Sequence, residues 1–323
     1  MIPASVRFPP EVVLAHAAAQ IPEPGVLPGG CRYEPKWDGF RVTIVSDAVV
    51  SLWSRRGSDL TGIFPEIAAA GRQLPTGSLF DGELVIWQDD RLSFEALLRR
   101  QSTGARGAGR LSRELPASLV LFDVLALDGT DVRRLAYDER RELCELALEH
   151  VRPPIALSPM TRDKSVADGW FADMAPAGIE GLVVKGGAQR YLPGRRLWIK
   201  VKRRETVDVV IGAVIGPIER PEAVVVGLVV DGELRIAGQS AALRPEQARS
   251  LGELLRPPTG EHPWPEVLSP GRLGPFSSAQ EPVRLTLVEP VVAEVSADSA
   301  RTATSFRHSV RFVRVRPDEP LPS

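Results

Sequence analysis

The hydrophobic and polar residues of the first two thirds of the chain form a mixture of strand-like and helix-like segments. The strand-like segments are short and rich in apolar residues. The predicted strands are residues 40–46, 49–54, 78–87, 119–127, 179–185 and 197–202. The first two flank Asp47 and Ala48 and are predicted to form a hairpin.

Two segments have the spacing of helices instead. Ser93 is a suitable N-cap for a helix at residues 93–100. A second helix is predicted at residues 138–150. Its apolar face is expected to hold Leu143, Leu146 and Ala147. The irregular order of strands and helices predicts the α+β class rather than repeated parallel βαβ units.

The last third of the chain has a different pattern. Runs rich in Val and Ile predict short strands at residues 207–216, 223–230, 234–237, 283–288, 291–295 and 311–315. One helix is predicted at residues 245–255, followed by a Pro/Gly-rich loop at 256–275. Short strands with a single helix predict a small β-barrel, and the OB-fold is the leading candidate. We therefore predict one domain at residues 1–204 and a second at 205–323.

Length and composition are consistent with this division. A chain of 323 residues suits two modest domains better than one large core. No apolar run of about 18 residues occurs, so no membrane span is predicted. The N-terminus has a short apolar stretch without a basic lead-in or a convincing cleavage site, and the cytoplasm is therefore the default location.

Cysteine, histidine and charge narrow the chemistry further. Cys31 and Cys144 lie far apart and the four histidines are scattered, which argues against a disulfide scaffold and against a zinc site. Any metal should be a hard cation held by carboxylates and phosphates. The formal net charge of −1 argues against a uniformly basic protein, but arginine clusters at residues 195–204 and 307–316 are compatible with nucleic acid.

The strongest candidate chemistry lies at residues 36–39, KWDG, just before the first predicted strand. Alone, this motif is equally typical of a surface loop with a turn at Asp38 and Gly39. Six further motifs follow in order: SRRG (54–57), DGELV (81–85), LFDVL (121–125), EGLVVK (180–185), WIKVK (198–202) and RHSVRFVRVRPD (307–318). Together they resemble the ordered motifs of covalent nucleotidyltransferases, which are the ATP-dependent DNA ligases, RNA ligases and mRNA-capping enzymes.

The resemblance implies that Lys36 is the residue that becomes adenylated. Its amine would attack the α-phosphate of ATP and release pyrophosphate. A free lysine has a pKa near 10.4, so only about one molecule in 2,500 carries a neutral amine at pH 7. We expect a bound divalent cation and the neighbouring lysines Lys185, Lys200 and Lys202 to favour the neutral form.

The resemblance also implies roles around the nucleoside and the metal. Glu34 would recognise the exocyclic amine of adenine. Phe122 would stack on the ring, although its apolar surroundings predict a core position as well. Glu83 would contact the ribose or help to hold a metal ion, and Glu180 would bind that ion, which is expected to be Mg²⁺ or Mn²⁺.

Positive residues would bind the ribose and the phosphates. The resemblance gives this role to Arg41, Arg55 or its neighbour Arg56, Lys185, Lys200, Lys202 and Arg316. Asp38 belongs to the catalytic motif, and Lys200 and Lys202, two apart on a strand, should share a face. The last motif continues into Glu319, where the family often has lysine. A hinge near residues 203–207 would let the second domain close over ATP.

The forms of the motifs look most like those of DNA ligases, in particular the short bacterial ligase C type. That resemblance implies an adenylation domain followed by an OB-fold domain, ATP as cofactor and nicked double-stranded DNA as partner. It further implies a monomer in the bacterial cytoplasm or nucleoid that acts in DNA repair, with a repair polymerase or an end-binding protein as additional partners. The alternatives are an RNA ligase or capping-type transferase, and a non-catalytic OB-containing nucleic-acid binder.

Overall fold

The structure is a computed structural model that describes residues 1–269, 281–298, 304–306, 308–316 and 319–321. The chain forms two compact units, Met1–Lys202 and Arg203–Ser323. Strands and helices occur in mixed order, which confirms the predicted α+β class. None of the helices in these ranges is long and apolar enough to cross a membrane.

The first unit contains two sheets and four α-helices within residues 1–202. Its strands are β1 (Leu14–Ala18), β2 (Cys31–Pro35), β3 (Phe40–Ser46), β4 (Val50–Ser54), β5 (Ser78–Gln88), β6 (Arg91–Leu92), β7 (Ala117–Leu127), β8 (Thr130–Asp131), β9 (Ile155–Leu157), β10 (Gly181–Gly186) and β11 (Arg196–Lys202). Its helices are α1 (Pro65–Ala70), α2 (Phe94–Glu114), α3 (Tyr137–Leu148) and α4 (Lys164–Asp173), with one 3₁₀ turn at Gly71–Gln73.

The strand order shows how the two sheets are built. The larger sheet runs β4-β3-β5-β7-β8, with β6 paired to β5 and β9 paired to β7. The smaller sheet runs β1-β11-β10-β2. Neighbouring strands are antiparallel except for β1 with β11 and β7 with β9. The predicted hairpin is observed in β3 and β4, where Ser46 lies opposite Val50.

Side chains of the central strands point alternately to the two faces of the larger sheet, and each face packs in an apolar core. On one face, Leu84 and Leu121 pack with residues of helices α2 and α3. On the other face, Phe122 packs with Trp198 of β11. That second face is therefore turned towards the smaller sheet, and the polar groups of the candidate site lie between the two sheets.

Helix α2 is longer than the sequence predicts. It begins after Ser93, whose Oγ accepts a hydrogen bond from the backbone N–H three residues later at 3.3 Å, as expected of an N-cap. The predicted end at Arg100 is wrong, because the helix continues to Glu114 with a break at Gly104, where φ is +65°. Arg100 is buried within the helix and forms an ion pair with Glu66 of α1.

Helix α3 turns most, but not all, of its predicted apolar face to the core. Leu146, expected to face inward with Leu143 and Ala147, is 70% exposed, whereas the other two pack against the core. The inward face also carries Arg140, which lies 2.7 Å from Asp123 of β7. The prediction for Leu146 is wrong because the inward stripe of the helix follows Arg140, Cys144 and Ala147, at spacings of four and three residues, and Leu146 lies to one side of it.

The sequence pattern does not predict strands β1 and β2, or helices α1 and α4. All five residues of β2 are buried, including the polar residues Arg32 and Glu34. Their partners are Asp138 of α3 and Lys185 of β10, which lie more than a hundred residues further along the chain. A local pattern cannot detect such pairs, so β2 has the polarity of a loop.

The second unit is mainly antiparallel sheet. Its elements are β12 (Arg204–Ile215), β13 (Ala223–Val230), β14 (Glu233–Gln239), α5 (Pro245–Leu254), β15 (Val267–Leu268), β16 (Val283–Arg284), β17 (Thr286–Asp298) and β18 (Arg311–Val315). Strand β15 interrupts the predicted loop at residues 256–275, of which 270–275 lie outside the described residues. The separate strands predicted at 283–288 and 291–295 are wrong, because β17 runs through Pro290, where its register with β12 shifts.

The five main strands of this unit run in the order β14-β13-β12-β17-β18, and each neighbouring pair is antiparallel. Ser240, just after β14, forms a single bridge with Val310, just before β18. The two edges of the sheet therefore meet at this point. Helix α5 contributes Leu251 to the core that these strands enclose.

Candidate active site

Lys36 lies directly after β2, opposite the start of β10. Its backbone N–H donates to the carbonyl of Gly181 at 2.8 Å, and the N–H of Glu180 donates to the carbonyl of Lys36 at 3.0 Å. These bonds extend the antiparallel pairing of β2 with β10 by one step. The side chains of Lys36 and Glu180 are thereby held next to each other.

Charged side chains gather around Lys36 in what we call the reaction end: Lys36, Glu83, Glu180, Lys200 and Lys202. The Nζ atom of Lys36 forms a hydrogen-bonded ion pair with Oε2 of Glu180. The Nζ atom of Lys202 lies 3.3 Å from the same oxygen. Glu180 is only 3% exposed, so two ammonium groups share one buried carboxylate.

Lys200 and Lys202 share one face of β11, as predicted. The residues between and before them, Ile199 and Val201, are buried on the opposite face against β2 and β10. Trp198 continues the lysine-bearing face towards the larger sheet. The alternation of a strand therefore places an indole and two ammonium groups in line along the site.

The charges around Lys36 set the pKa of its amine. Burial acts to lower this pKa, but the attraction and hydrogen bond of Glu180, with a smaller contribution from Glu83, outweigh burial, and the pKa of Lys36 is raised. The expectation that the site favours the neutral amine is therefore not met in this arrangement. The pKa of Lys200 is lowered, first by burial and then by repulsion from Lys202 and Lys36.

Glu83 lies in β5, opposite Arg41 of β3. Burial raises its pKa to about 8, although Lys36 and Arg41 pull the value down. In the described part of the chain, no three His, Cys, Asp or Glu side chains cluster as a metal site. Mg²⁺ is commonly held by one or two carboxylates together with phosphate oxygens. Glu83 and Glu180, which both act on the charge of Lys36, suit that mode of binding.

A second group of residues forms what we call the base end: Glu34, Phe122, Tyr137, Lys185 and Trp198. The Nζ atom of Lys185 lies 2.7 Å from Oε1 of Glu34 and donates to the backbone carbonyl of Phe122 at 2.8 Å. The same ammonium lies 4.4–4.9 Å from the ring centres of the three aromatic residues. Lys185 is completely buried and balanced by Glu34. The geometry therefore separates it from the lysines of the reaction end.

Phe122 lies at a bulge of β7. Asp81 pairs with Asp123 and Gly82 with Leu121, so Phe122 is the extra residue between two ladder positions. A bulge redirects the side chain at that position. The ring meets Trp198 edge to face with centres 6.0 Å apart and is 9% exposed.

Arg41 is fixed in place by a buried carboxylate. Its Nε and Nη2 atoms donate to the two oxygens of Asp81 at 3.0 and 2.7 Å. The hydroxyl of Tyr191 also donates to Asp81, at 2.7 Å. The guanidinium lies 4.8 Å from the ring centre of Trp198 and 5.7 Å from that of Phe122. Arg41 thus borders the base end with its orientation already set.

Three further residues that the sequence predicts for the site lie near Lys36 or in a turn beside Arg41: Asp38, Arg55 and Arg56. Asp38 is 8% exposed and contributes to the raised pKa of Lys36. Arg55 and Arg56 are exposed in the turn after β4. The backbone N–H of Arg55 donates to the carbonyl of Arg41 at 3.2 Å. The structure therefore places this turn beside β3.

Arg316 belongs to the second unit. It lies 3.3 Å from Asp208, 3.4 Å from Glu294 and 3.7 Å from Glu319, which are all in the same unit. Arg307, the first residue of the last motif, lies outside the described residues, as do residues 317 and 318. The role that the resemblance implies for this motif stays a prediction.

Sequence reasoning did not single out several residues that complete the site: Asp81, Tyr137, Tyr191 and Trp198. Asp81 and Trp198 stand inside motifs that the sequence identifies, and strand alternation from Lys200 would have placed Trp198 on the lysine-bearing face. Tyr137 directly precedes the predicted start of its helix. Its hydroxyl donates to Glu34, a hundred residues earlier in the chain, and no local signal marks that contact.

Comparison with known proteins agrees with this geometry. The family model described as the ATP-dependent DNA ligase domain matches residues 13–202. DNA ligase C2 of Mycolicibacterium smegmatis is 33% identical over 313 residues, which span 90% of this chain and 88% of that protein. DNA ligase C of Mycobacterium tuberculosis is 33% identical over 314 residues, which span 90% and 87%.

Solved structures give the same result. The ligase domain of M. tuberculosis LigD superposes with a TM-score of 0.50 at 27% identity, covering 95% of this chain and 96% of that domain. A Lig E DNA ligase, described as a minimal scaffold for DNA binding, superposes with a TM-score of 0.57 at 16% identity, covering 94% and 99%, which supports the fold alone. The family model covers more than half of this chain and the relatives cover most of it. The chain therefore belongs to the ATP-dependent DNA ligase family and is similar to the bacterial ligases of the C type.

Proposed function

We propose that this ligase seals nicks in double-stranded DNA through AMP carried covalently on Lys36. The observation that carries the proposal is that Lys36 lies among the charged side chains of the reaction end, two residues along the chain from Glu34 of the base end. A nucleotide with its base at Glu34 and its phosphates at Lys200 and Lys202 would present its α-phosphate to the amine of Lys36. Holding two reacting groups in this way accounts for much of enzymatic rate acceleration.

Three displacements make up the reaction. The neutral amine of Lys36 attacks the α-phosphorus of ATP, a nitrogen–phosphorus bond forms, and the bond to pyrophosphate breaks. A 5′-phosphate oxygen of the nick then takes the AMP, which restores the lysine. The 3′-hydroxyl finally attacks the activated 5′-phosphate and releases AMP. In the first step, we propose that Lys200 and Lys202, which lie near Lys36, stabilise negative charge on the phosphates.

The amine of Lys36 must lose its proton before it attacks, and the hydrogen bond that the amine donates to Glu180 keeps this proton on Lys36. A divalent cation bound by Glu83, Glu180 and phosphate oxygens would neutralise phosphate charge and weaken the attraction between Glu180 and Lys36. We propose Mg²⁺ or Mn²⁺ for this position. The pair at Lys36 is then a resting arrangement of the nucleophile, and nucleotide binding with the cation activates it.

At the base end, we propose that Glu34 recognises the exocyclic amine of adenine and that Phe122 stacks on the base. The support is that Phe122 lies at a bulge of β7 and that one ammonium, that of Lys185, contacts both Glu34 and the ring of Phe122. Arg41 and one of Arg55 and Arg56 are proposed to contact the ribose or the phosphates, because their backbones are joined at the edge of β3.

We assign the first unit as the adenylation domain and the second as an OB-fold domain, with the boundary near residue 204. Five antiparallel strands with edges that meet at Ser240 and Val310, together with one helix, support a small barrel of this type. The second domain would help to hold DNA, and Arg316 is proposed to orient pyrophosphate. The resemblance further supports a monomer of the bacterial cytoplasm or nucleoid that acts in repair beside a polymerase or an end-binding protein.

A nick-sealing assay tests this function. Purified protein is given ATP, Mg²⁺ or Mn²⁺, and either nicked DNA or nicked RNA duplexes of the same sequence. We expect joined DNA strands with ATP and either cation, with little joining of RNA. Preferential joining of RNA would support the RNA-ligase alternative. No joining and no covalent AMP would support a non-catalytic binder.

A further inference from the structure

Tyr137 brings a second donor to the carboxylate of Glu34. It is the first residue of α3 and is 1% exposed. Its hydroxyl donates to Oε1 of Glu34, and the ammonium of Lys185 lies 2.7 Å from the same oxygen. The two donors come from different elements, α3 and β10, and converge on a carboxylate of β2.

We propose that Tyr137 is a positioning residue that orients Glu34 and thereby sets the preference of the enzyme for adenine. This inference rests on the proposed function, because it takes Glu34 as the residue that meets the base. Both described donors to Glu34 use Oε1, which leaves Oε2 to accept a hydrogen bond from the base. Adenine offers an amine at this edge, whereas a purine without the amine leaves the carboxylate oxygen unpaired.

The helix that carries Tyr137 is anchored by two charged residues in the turn that follows it. Asp138 receives two hydrogen bonds from Arg32, which neighbours the recognition carboxylate on β2. Arg140 makes two hydrogen bonds to Asp123 of β7, at 2.7 and 3.0 Å. The phenol is therefore located by ion pairs to the two strands that line the base end. Such fixed supporting contacts are what hold a recognition group in a productive geometry.

The chemistry of the phenol supports the same role. Burial, followed by the nearby charge of Glu34, raises the pKa of Tyr137 well above its ordinary value. The hydroxyl therefore remains a donor over the whole pH range in which a ligase can be assayed. The phenol and the ammonium of Lys185 both donate to Oε1 of Glu34, so that oxygen is already used by the protein.

A pair of substrates isolates this effect. ATP and purine riboside 5′-triphosphate differ only in the exocyclic amine, and the self-adenylation rate at limiting nucleotide is measured for each. The preference for ATP is the ratio of the two rates within one enzyme preparation, so a partly inactive sample does not alter it. The variant is Tyr137→Phe, which removes one hydroxyl and keeps the ring.

Tyr33→Phe is the matched control. Tyr33 is also completely buried in β2, and its hydroxyl donates to the carbonyl of Pro22 at 2.8 Å, on the face of the strand turned away from the nucleotide. We expect Tyr137→Phe to lower the preference for ATP by about tenfold, mainly through a higher KM for ATP with a nearly unchanged maximal rate. Tyr33→Phe should keep the wild-type preference within about twofold.

Equal losses on both nucleotides, or an unchanged preference, in Tyr137→Phe would overturn the inference. If that variant does not fold, 3-fluorotyrosine at position 137 replaces it. This residue keeps the shape and is a stronger donor, so a preference raised about twofold supports the inference and an unchanged one overturns it. Failure of the proposed function gives a different result, because the wild-type protein then forms no adenylate with ATP.

Discussion

Two lysine–glutamate pairs join the same two strands of this ligase. They differ in the burial of the lysine and in the partners around it. At the base end, β2 supplies Glu34 and β10 supplies Lys185. At the reaction end the order is reversed, with Lys36 directly after β2 and Glu180 directly before β10. The two pairs therefore arise from one antiparallel ladder.

The surroundings separate the two lysines. The side chain of Lys185 is 1% exposed and has a carboxylate, a carbonyl and three aromatic rings as neighbours. The side chain of Lys36 is 21% exposed and shares Glu180 with Lys202. One lysine is thus enclosed by its partners, whereas the other is partly exposed and pairs with a carboxylate that already has a second partner. The pairing of β2 with β10 thus supplies both a structural cation, Lys185, and the proposed nucleophile, Lys36.

The largest expected effect is the loss of self-adenylation when Lys36 is replaced. Lys36→Ala should reduce self-adenylation by at least about a thousandfold, because no other amine occupies its place. The same variant should still join a nick that already carries AMP on its 5′-phosphate, since that step does not use the lysyl-AMP. Labelled AMP on the protein and joining of pre-adenylated nicked DNA are the two measurements.

Lys164→Ala is the control for this change, because Lys164 pairs with Asp168 one turn along α4 and lies outside the site. We expect wild-type rates in both assays. If Lys36→Ala keeps its self-adenylation, the assignment of the nucleophile is wrong. If Lys36→Ala loses both activities equally, Lys36 also acts in the final joining step.

Stability should depend on the two lysines in the opposite order from activity, with the larger loss on substitution of Lys185. Lys185→Met leaves Glu34 buried without its cation and should lower the free energy of unfolding by about 3–5 kcal/mol. Lys36→Met should lower it by about 1 kcal/mol or less, since Glu180 keeps Lys202 at 3.3 Å. Urea unfolding followed by tryptophan fluorescence measures both values. Similar losses in the two variants would show that the pairs are not distinguished as we describe.

A smaller effect concerns the pH dependence of the reaction end. With a pKa of about 8, Glu83 is mainly protonated at pH 7 and gains its charge as the pH rises through 8. If the ionised form contacts the ribose or the metal, the self-adenylation rate of wild type relative to Glu83→Gln should rise by up to about tenfold between pH 7 and pH 9. Deprotonation of Lys36 affects both proteins, and Glu83→Gln removes only the smaller contribution of Glu83 to the pKa of that amine.

Rates measured at several pH values with saturating ATP give the comparison. Glu95→Gln, an exposed acid in the first turn of α2, is the control and should follow wild type at every pH. A ratio that stays constant from pH 7 to pH 9 would mean that the charge of Glu83 is not used in this step.

The sequence predicts the reaction end better than the base end, for physical reasons. Lys36, Glu180, Lys200 and Lys202 stand in short local motifs, and strand alternation correctly places the last two on one face. The hairpin of β3 and β4 is also recovered, because its apolar alternation is local. Local signals suffice where neighbours along the chain determine the geometry.

The base end depends on contacts between distant segments. Glu34 and Arg32 are buried in β2 only because Lys185 and Asp138 meet them, so the strand lacks an apolar pattern. Phe122 is redirected by a bulge that no composition signal marks. The position of Tyr137 follows from the anchoring of α3 and not from its own spacing. These features arise from tertiary pairing and could not be predicted from the residues beside them.

The central claim is that Lys36 carries the AMP, and mapping the modified residue tests it most directly. The protein is incubated with ATP and Mg²⁺ in the absence of DNA, digested, and analysed by mass spectrometry under conditions that preserve the nitrogen–phosphorus bond. We predict a single peptide that has gained one AMP, with the modification on Lys36 and none on Lys185, Lys200 or Lys202. AMP on another residue, or an unmodified Lys36 in protein that seals nicks, would contradict the account.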